Sequence, residues 1–216
     1  MPPVPPDAHR RPYDARRRQD AARRTRAAVL AACRELLCRD GYQATTIRAV
    51  ADRAGVSPET VYKTFGGKAG LVKALWDVTL AGDDEPLTMA ERPALQEVWR
   101  TRDPRTKLGR YAAFVRGVNE RLAAVFALLA QAGPEVAPVL AVSEEERLAG
   151  ITAFVAHLAG EGALPPGTDR AHAADACWAL TGPQLFTQLT AGRGWHPGTY
   201  QDWLAGQLAA TLLPTP

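Results

Sequence analysis

Residues 55–68 read GVSPETVYKTFGGK, about two turns of polar helix set between a Gly-Val-Ser turn and a double glycine. Ser57 is suited to cap such a helix, Pro58 fits its first position because the missing N–H has no partner there, and Glu59 lies favourably against the positive end of the helix dipole. Val61 and Phe65, four residues apart, share one face and point to a core. Thr60, Lys63 and Thr64 are left for the opposite side, with Tyr62 at the margin. Hydroxyls and amines suit phosphate oxygens, and lysine and threonine also reach base edges, so this face matches the demands of a DNA major groove.

The residues before this stretch supply a partner helix. Thr46 is a good N-cap for a segment in which Ile47, Val50, Ala51 and Ala54 recur at helical spacing before Gly55 ends it. Two short helices joined by Gly-Val-Ser, with Val56 plugging the corner, have the sequence form of a helix-turn-helix. A longer helix is predicted from near Asp20, with Val29, Leu30, Cys33, Leu36 and Leu37 on one face and Gly41 as its cap. Lys68 opens a fourth, whose stripe is Leu71, Val72, Leu75 and Trp76. Residues 1–20 hold five prolines and five arginines and almost no large apolar side chains, which predicts a disordered basic arm. Its Arg10, Arg11, Arg16, Arg17 and Arg18 either enter a minor groove or add salt-dependent affinity.

Charge divides the chain in the same place. Residues 1–76 carry 15 lysines and arginines against 7 acids, a net of +8; residues 77–216 carry 11 against 16, a net of −5, which together make the formal +3. A basic first third joined to an acidic remainder suits a protein whose first part meets a polyanion. A length of 216 residues allows one or two domains. The longest apolar run, residues 122–130, falls short of the roughly 20 residues a membrane span needs, and no apolar region follows the basic start, so a cytoplasmic location is expected. Cys33, Cys38 and Cys177 lack metal-ligand spacing and read as reduced fillers. Catalysis has no residues to stand on: there is no Ser-His-Asp order, phosphate-cradling glycine loop, His-x-x-x-His pair or Cys-x-x-Cys motif. No metal or cofactor is expected.

Past Asp77 amphipathic helices take over. Asp103 and Pro104 start one carrying Leu108, Tyr111, Ala112, Val115, Val118, Leu122, Val125, Phe126 and Leu129, with a break predicted near Gly117. Another, with Ile151, Phe154 and Val155, starts at either Pro138 or Ser143. Asp169 caps a helix predicted to run to about Ala191 with a kink at Pro183, and Thr199 starts the last. No alternating strand pattern appears, so the fold class is all-α.

The stretch AACRELLCRDGYQATTIRAVADRAGVSPETVYKTFGGKAGLVKALW, within residues 28–76, resembles the DNA-binding domain of the TetR (tetracycline repressor) family of transcriptional regulators. Gly-Tyr before the second helix, Ala-x-x-Ala-Gly-Val-Ser and Thr-x-Tyr-x-x-Phe-x-x-Lys are all present in register. The resemblance implies phosphate contacts from Thr46, Tyr62 and Lys68, and base contacts from Arg48, Thr60, Lys63 and Ser57, with Thr64 on the same face. Thr64 stands where many members carry His or Tyr, and Gly67 where Ser or Asn often caps the fourth helix, which implies a weaker cap and a less rigidly set Lys68.

It further implies a division into a disordered arm (1–20), a three-helix helix-turn-helix domain (21–67), a connecting helix (68–82) and a helical effector-binding and dimerisation domain (83–216). The expected function is a ligand-responsive, homodimeric repressor on a near-palindromic operator, the alternative a ligand-independent dimeric accessory protein. Candidate effector-binding residues are Tyr111, Phe114, Phe154, His157, Trp178 and Phe186. His157 is either a satisfied core histidine or the group that orients a ligand. In the last two helices, roughly residues 171–188 and 200–212, candidate dimer contacts are Leu185, Tyr200, Trp203, Leu204, Leu208 and Leu212.

Overall fold

Val29, Leu30, Cys33, Leu36 and Leu37 are all buried along one side of α1 (Arg10–Ala44), the first helix of a computed structural model that describes residues 10–214, with side chains from residue 17 onward. The chain divides into two compact units, Met1–Leu75 and Trp76–Pro216. Among the described residues there is no strand.

In the first unit, α1 is interrupted at Gly41, whose backbone (φ 77, ψ 176) only glycine adopts without strain. The buried Thr45 turns the chain there, donating from its hydroxyl to the Gly41 carbonyl at 2.8 Å. α2 (Ile47–Ala54) packs on α1, and α3 (Pro58–Phe65) packs on α2. α1 begins ten residues before the expected start near Asp20, so the arm is helical from Arg10; residues 1–9 lie outside the described residues. Arginine, alanine and glutamine, which make up all of residues 15–28 but Asp20 and Thr25, are strong helix formers, and propensity extends the helix although it has no apolar face to bury there.

α4 (Lys68–Ala81) begins in the first unit and crosses the boundary at Leu75, within the residues 68–82 expected to connect the domains. Its Gly70 has an ordinary backbone angle but no room for a side chain: a Cβ there would lie 1.8 Å from the Phe65 carbonyl oxygen. The first turn of α4 therefore presses directly on the end of α3.

The second unit opens with a 3-10 turn (Met89–Glu91) and α5 (Pro93–Arg100), neither of which the periodicity predicts. α6 (Pro104–Ala130) is capped by Asp103, which accepts from the Thr106 N–H at 2.8 Å, and continues through Gly117 where a break was expected. α7 (Ala137–Gly160) places Pro138 in its first turn; Ser143 is interior and donates to the Val139 carbonyl at 3.1 Å. Arg121 of α6 donates to the carbonyls of Thr79 and Leu80, closing the end of α4. α8 (Arg170–Thr181) has the Asp169 cap but stops ten residues early: Gly182 is extended (φ −67, ψ 149), so a break replaces the expected kink. α9 (Pro183–Thr187), a π turn (Gln188–Gly192) and α10 (Pro197–Leu212) complete the chain.

Ending α8 inside the unit leaves its last four carbonyls without intrahelical partners. Side chains from three other helices take three of them: Arg147 of α7 donates to Trp178 O at 2.7 Å, Tyr200 of α10 to Leu180 O at 3.3 Å, and the buried Asn119 of α6 to Thr181 O at 3.1 Å. The fourth, on Ala179, belongs to an exposed residue. Around this end lies one apolar core that includes Leu108, Tyr111, Val115, Phe154, Cys177, Leu204 and Leu208. Cys33 and Cys177 are buried, burial pushing both thiols up to about 12, whereas Cys38 is exposed. No helix among the described residues is long and apolar enough to cross a membrane.

Asn119→Ala leaves the buried Thr181 carbonyl unpaired and is expected to cost about 1–3 kcal/mol, read as a lower urea midpoint. An unshifted midpoint refutes the capping role. Gly70→Ala tests the α3–α4 contact by its sign. Alanine ordinarily stabilises a helix interior by about 0.5–1 kcal/mol relative to glycine. Here crowding against Phe65 is expected to lower the melting temperature, at a cost of about 1–3 kcal/mol.

Candidate nucleic-acid interface

The turn between α2 and α3 is built from backbone bonds. Gly55 is left-handed (φ 69, ψ 34) and its N–H reaches the carbonyls of Ala51 and Asp52, while the Val56 N–H donates to Ala51 O at 3.0 Å. Ser57 then caps α3, its hydroxyl accepting from the Thr60 N–H at 3.3 Å. Thr46 caps α2 in the same way, accepting from Ala49 N at 3.1 Å. Val61 is fully buried and Phe65 nearly so, on the side of α3 that packs on α2.

With those two anchors inside, the rest of α3 turns outward. Tyr62, Lys63 and Thr64 are exposed and Thr60 is half-buried; Tyr62, at 56% exposure, is an aromatic ring that its own unit leaves in solvent. Thr46, Arg48 and Ser57 are exposed as well. Thr64 donates its hydroxyl to the Thr60 carbonyl at 2.8 Å, and the hydroxyls of Ser57 and Thr60 pair at 3.2 Å. The one acid on α3, Glu59, is held below the usual carboxylate range by its own backbone N–H and then by the Ser57 hydroxyl, so its charge sits at the helix N-terminus.

Lys68 is more firmly set than the double glycine implied. Its ammonium donates to the Tyr42 carbonyl at 2.6 Å and stands 3.9 Å from the centre of the Tyr42 ring, which ties the start of α4 to the end of α1. Gly66 is left-handed (φ 74) and ends α3, its N–H on Tyr62 O; Gly67 (φ 129) then supplies the carbonyl that accepts the first α4 bond, from Leu71 N, at 2.9 Å. At the other margin the Arg26 guanidinium lies 5.2 Å from the centre of the Phe65 ring, beside the end of α3. The Lys68–Tyr42 contact, the Gly70 approach and the Arg26 stack were absent from the sequence reading. Only the Gly70 approach left a signal, a glycine inside an otherwise helical run.

The aromatic candidates of the second unit fall into three groups. Tyr111 stacks on Phe154 at 4.2 Å and on Phe114 at 6.2 Å, and Trp99 bridges Phe154 to His157. Phe186 instead meets Tyr200 edge to face at 4.9 Å, and Trp178 lies beneath the Arg147 guanidinium at 4.7 Å. His157 is not a lone polar group, because the fully buried Lys107, which the sequence reading passed over, reaches its Nε2 at 2.8 Å. The dimer candidates need correction. Tyr200, Leu204, Leu208 and Leu212 are fully buried within the single chain, where α10 packs on α6 and α8, so their stripe is core; Leu185 and Trp203 retain exposed surface.

Residues 29–75 match the family described as bacterial regulatory proteins, tetR family. An uncharacterised HTH-type transcriptional regulator of Bacillus subtilis (strain 168), YvkB, is 43% identical over 53 residues, a match spanning 24% of this chain and 28% of that relative. Solved structures agree over most of the chain. NalD, the secondary repressor of the MexAB-OprM multidrug efflux pump in Pseudomonas aeruginosa, superposes with a TM-score of 0.63 at 22% identity, covering 91% of this chain and 100% of its own. The transcriptional regulator FadR from Bacillus subtilis, solved with stearoyl-CoA, gives 0.65 at 16% identity over 86% and 98%. At such identities the likeness over the second unit is one of fold, and it is residues 29–75, with the registered helix-turn-helix, that match the tetR family of bacterial regulatory proteins.

Proposed function

We propose that the chain is a homodimeric, ligand-responsive repressor of transcription that binds a near-palindromic DNA site through α3 and leaves it when a small molecule occupies the second unit. The observation that carries the reading is the division of α3 between a buried pair, Val61 and Phe65, and an outward face of Thr60, Tyr62, Lys63 and Thr64. An exposed tyrosine beside lysine and threonine has no task within its own unit and matches what a phosphate backbone and base edges accept. Thr46, Ser57, Arg48 and Lys68 extend that surface, and the arginines of the first turns of α1 add salt-dependent affinity.

A two-fold dimer would set its two copies of α3 about one turn of B-DNA apart, roughly 34 Å. With the α10 stripe committed to the core, the outward sides of the last helices, including Leu185 and Trp203, are the surface for the second copy. A ligand that changes the spacing of the two α3 helices needs a coupling of only about 1–3 kcal/mol to lower DNA affinity roughly five- to 150-fold. NalD is named a repressor and FadR was solved with stearoyl-CoA; both support a repressor with a small-molecule site.

Gel shifts with the DNA flanking the chain's own gene are expected to give salt-sensitive, sequence-preferring binding, and binding indifferent to sequence rejects the reading. Tyr62→Phe is expected to weaken all sequences alike, by about three- to tenfold, the loss of one ordinary hydrogen bond. Lys63→Ala is expected in addition to relax preference at one base pair, by about 1–3 kcal/mol. If both variants only scale affinity, Lys63 is a phosphate contact.

A further inference from the structure

Lys107, in the first turns of α6, has no exposed surface, although the helix side on which it is buried is otherwise largely apolar. A buried ammonium is retained against a large desolvation cost, and replacing a whole buried ion pair by apolar side chains of similar size is often neutral or stabilising. Its charge is met by Glu161, the residue that follows α7, whose Oε2 accepts from Nζ. An ammonium has no lone pair, so the His157 Nε2 beside it, at 2.8 Å, also accepts. Glu161 Oε1 lies 3.3 Å from the same imidazole nitrogen.

Two features make this cluster more than a structural ion pair. Glu161 and His157 keep 34% and 31% of their side-chain surface in solvent while the lysine keeps none, so the buried cation lies one side chain beneath the surface. Glu161 can therefore swing into water, and regain its hydration, without unpacking the core. Beside it runs an aromatic wall: Trp99 of α5 meets His157 at 4.7 Å and Phe154 at 5.7 Å, and Phe154 stacks on Tyr111. α6 and α7, which carry the two halves of the cluster, do not pack backbone to backbone as α6 does with α10 or α7 with α8, and the space between them is spanned by these side chains.

We propose that this cluster is the anchor for an amphipathic carboxylate: the ligand's carboxylate takes the place of Glu161 on Lys107, beside His157, and its aromatic or acyl body lies against Trp99. The displaced group is itself a carboxylate, so the Lys107 ammonium already stands in carboxylate geometry. One ammonium balances one delocalised negative charge and leaves a phosphate dianion under-satisfied. Contact with the aromatic wall gives the incoming acid what the tethered Glu161 lacks, apolar burial. This names the ligand class for the second unit and rests on the ligand-responsive reading above.

The probes are 2-naphthoate and its neutral counterpart 2-naphthylmethanol, titrated calorimetrically into the full-length protein without DNA. The wild type is expected to prefer the acid at least tenfold. Glu161→Gln removes the competing anion and is expected to tighten naphthoate at least fivefold while leaving the alcohol unchanged; Lys107→Met is expected to erase the preference for the acid. A purely structural ion pair predicts instead that Glu161→Gln lowers the melting temperature without tightening the acid. That result, equal binding of acid and alcohol, or no binding of either to wild type and Glu161→Gln, overturns the proposal. Because Glu161 is partly exposed, its variant keeps the test decisive if Lys107→Met does not fold. Gel shifts are read separately: DNA binding without naphthoate binding removes the ligand class and leaves the repressor standing, whereas naphthoate binding without sequence-preferring DNA binding does the reverse.

Discussion

A helix stopped inside a core must find partners for its last carbonyls, and the second unit is organised around that requirement at the end of α8. Arg147, Tyr200 and Asn119 reach it from α7, α10 and α6, so three helices that could otherwise slide along apolar ridges are registered to one point by directional bonds. Burial alone does not fix such a register, because apolar contacts are non-directional and tolerate repacking. The Arg147 guanidinium also covers Trp178, adding a cation–π contact at the same place.

In the first unit the corresponding constraint is shortness. α3 has eight residues and two buried side chains, too little to form or hold a helix alone. Its position comes from both ends: the Gly55–Val56 backbone bonds and the Ser57 cap at the start, and the close approach of Gly70 to Phe65 at the finish. Lys68 on Tyr42 then ties α4 back to α1, which closes the unit on itself.

Much of this was legible in the sequence because local signals agree with the fold. The caps Thr46, Ser57, Asp103 and Asp169 each accept the N–H their chemistry predicts, and the glycines at 41, 55 and 66 each take positive φ. Where local and global signals diverge, pattern reading fails. Propensity carries α1 back to Arg10 although none of residues 17–28 is buried, and α5 is too short for its period to stand out. Pro183 has the same local effect in a kinked helix as in two separate ones, and only the tertiary partners of the freed carbonyls favour the break. An apolar stripe does not say whether its partner lies in the same chain, which is why Leu204, Leu208 and Leu212 read as an interface and proved to be core. Lys107 escaped notice because a lysine in a stripe reads as the edge of the stripe; its burial depends on Glu161, 54 residues away.

The separation of α3 into two anchors and an outward face also bears on how such a chain can change over generations. Lys63 and Thr64 are exposed and Thr60 is half-buried, so this surface can drift with little erosion of the fold that presents it. Val61, Phe65 and Gly70 have no such latitude, since each is fixed by atoms behind it. Under the proposed DNA-binding role, two copies of the gene could therefore come to prefer different sites by changing three or four codons, each variant inheriting an intact scaffold.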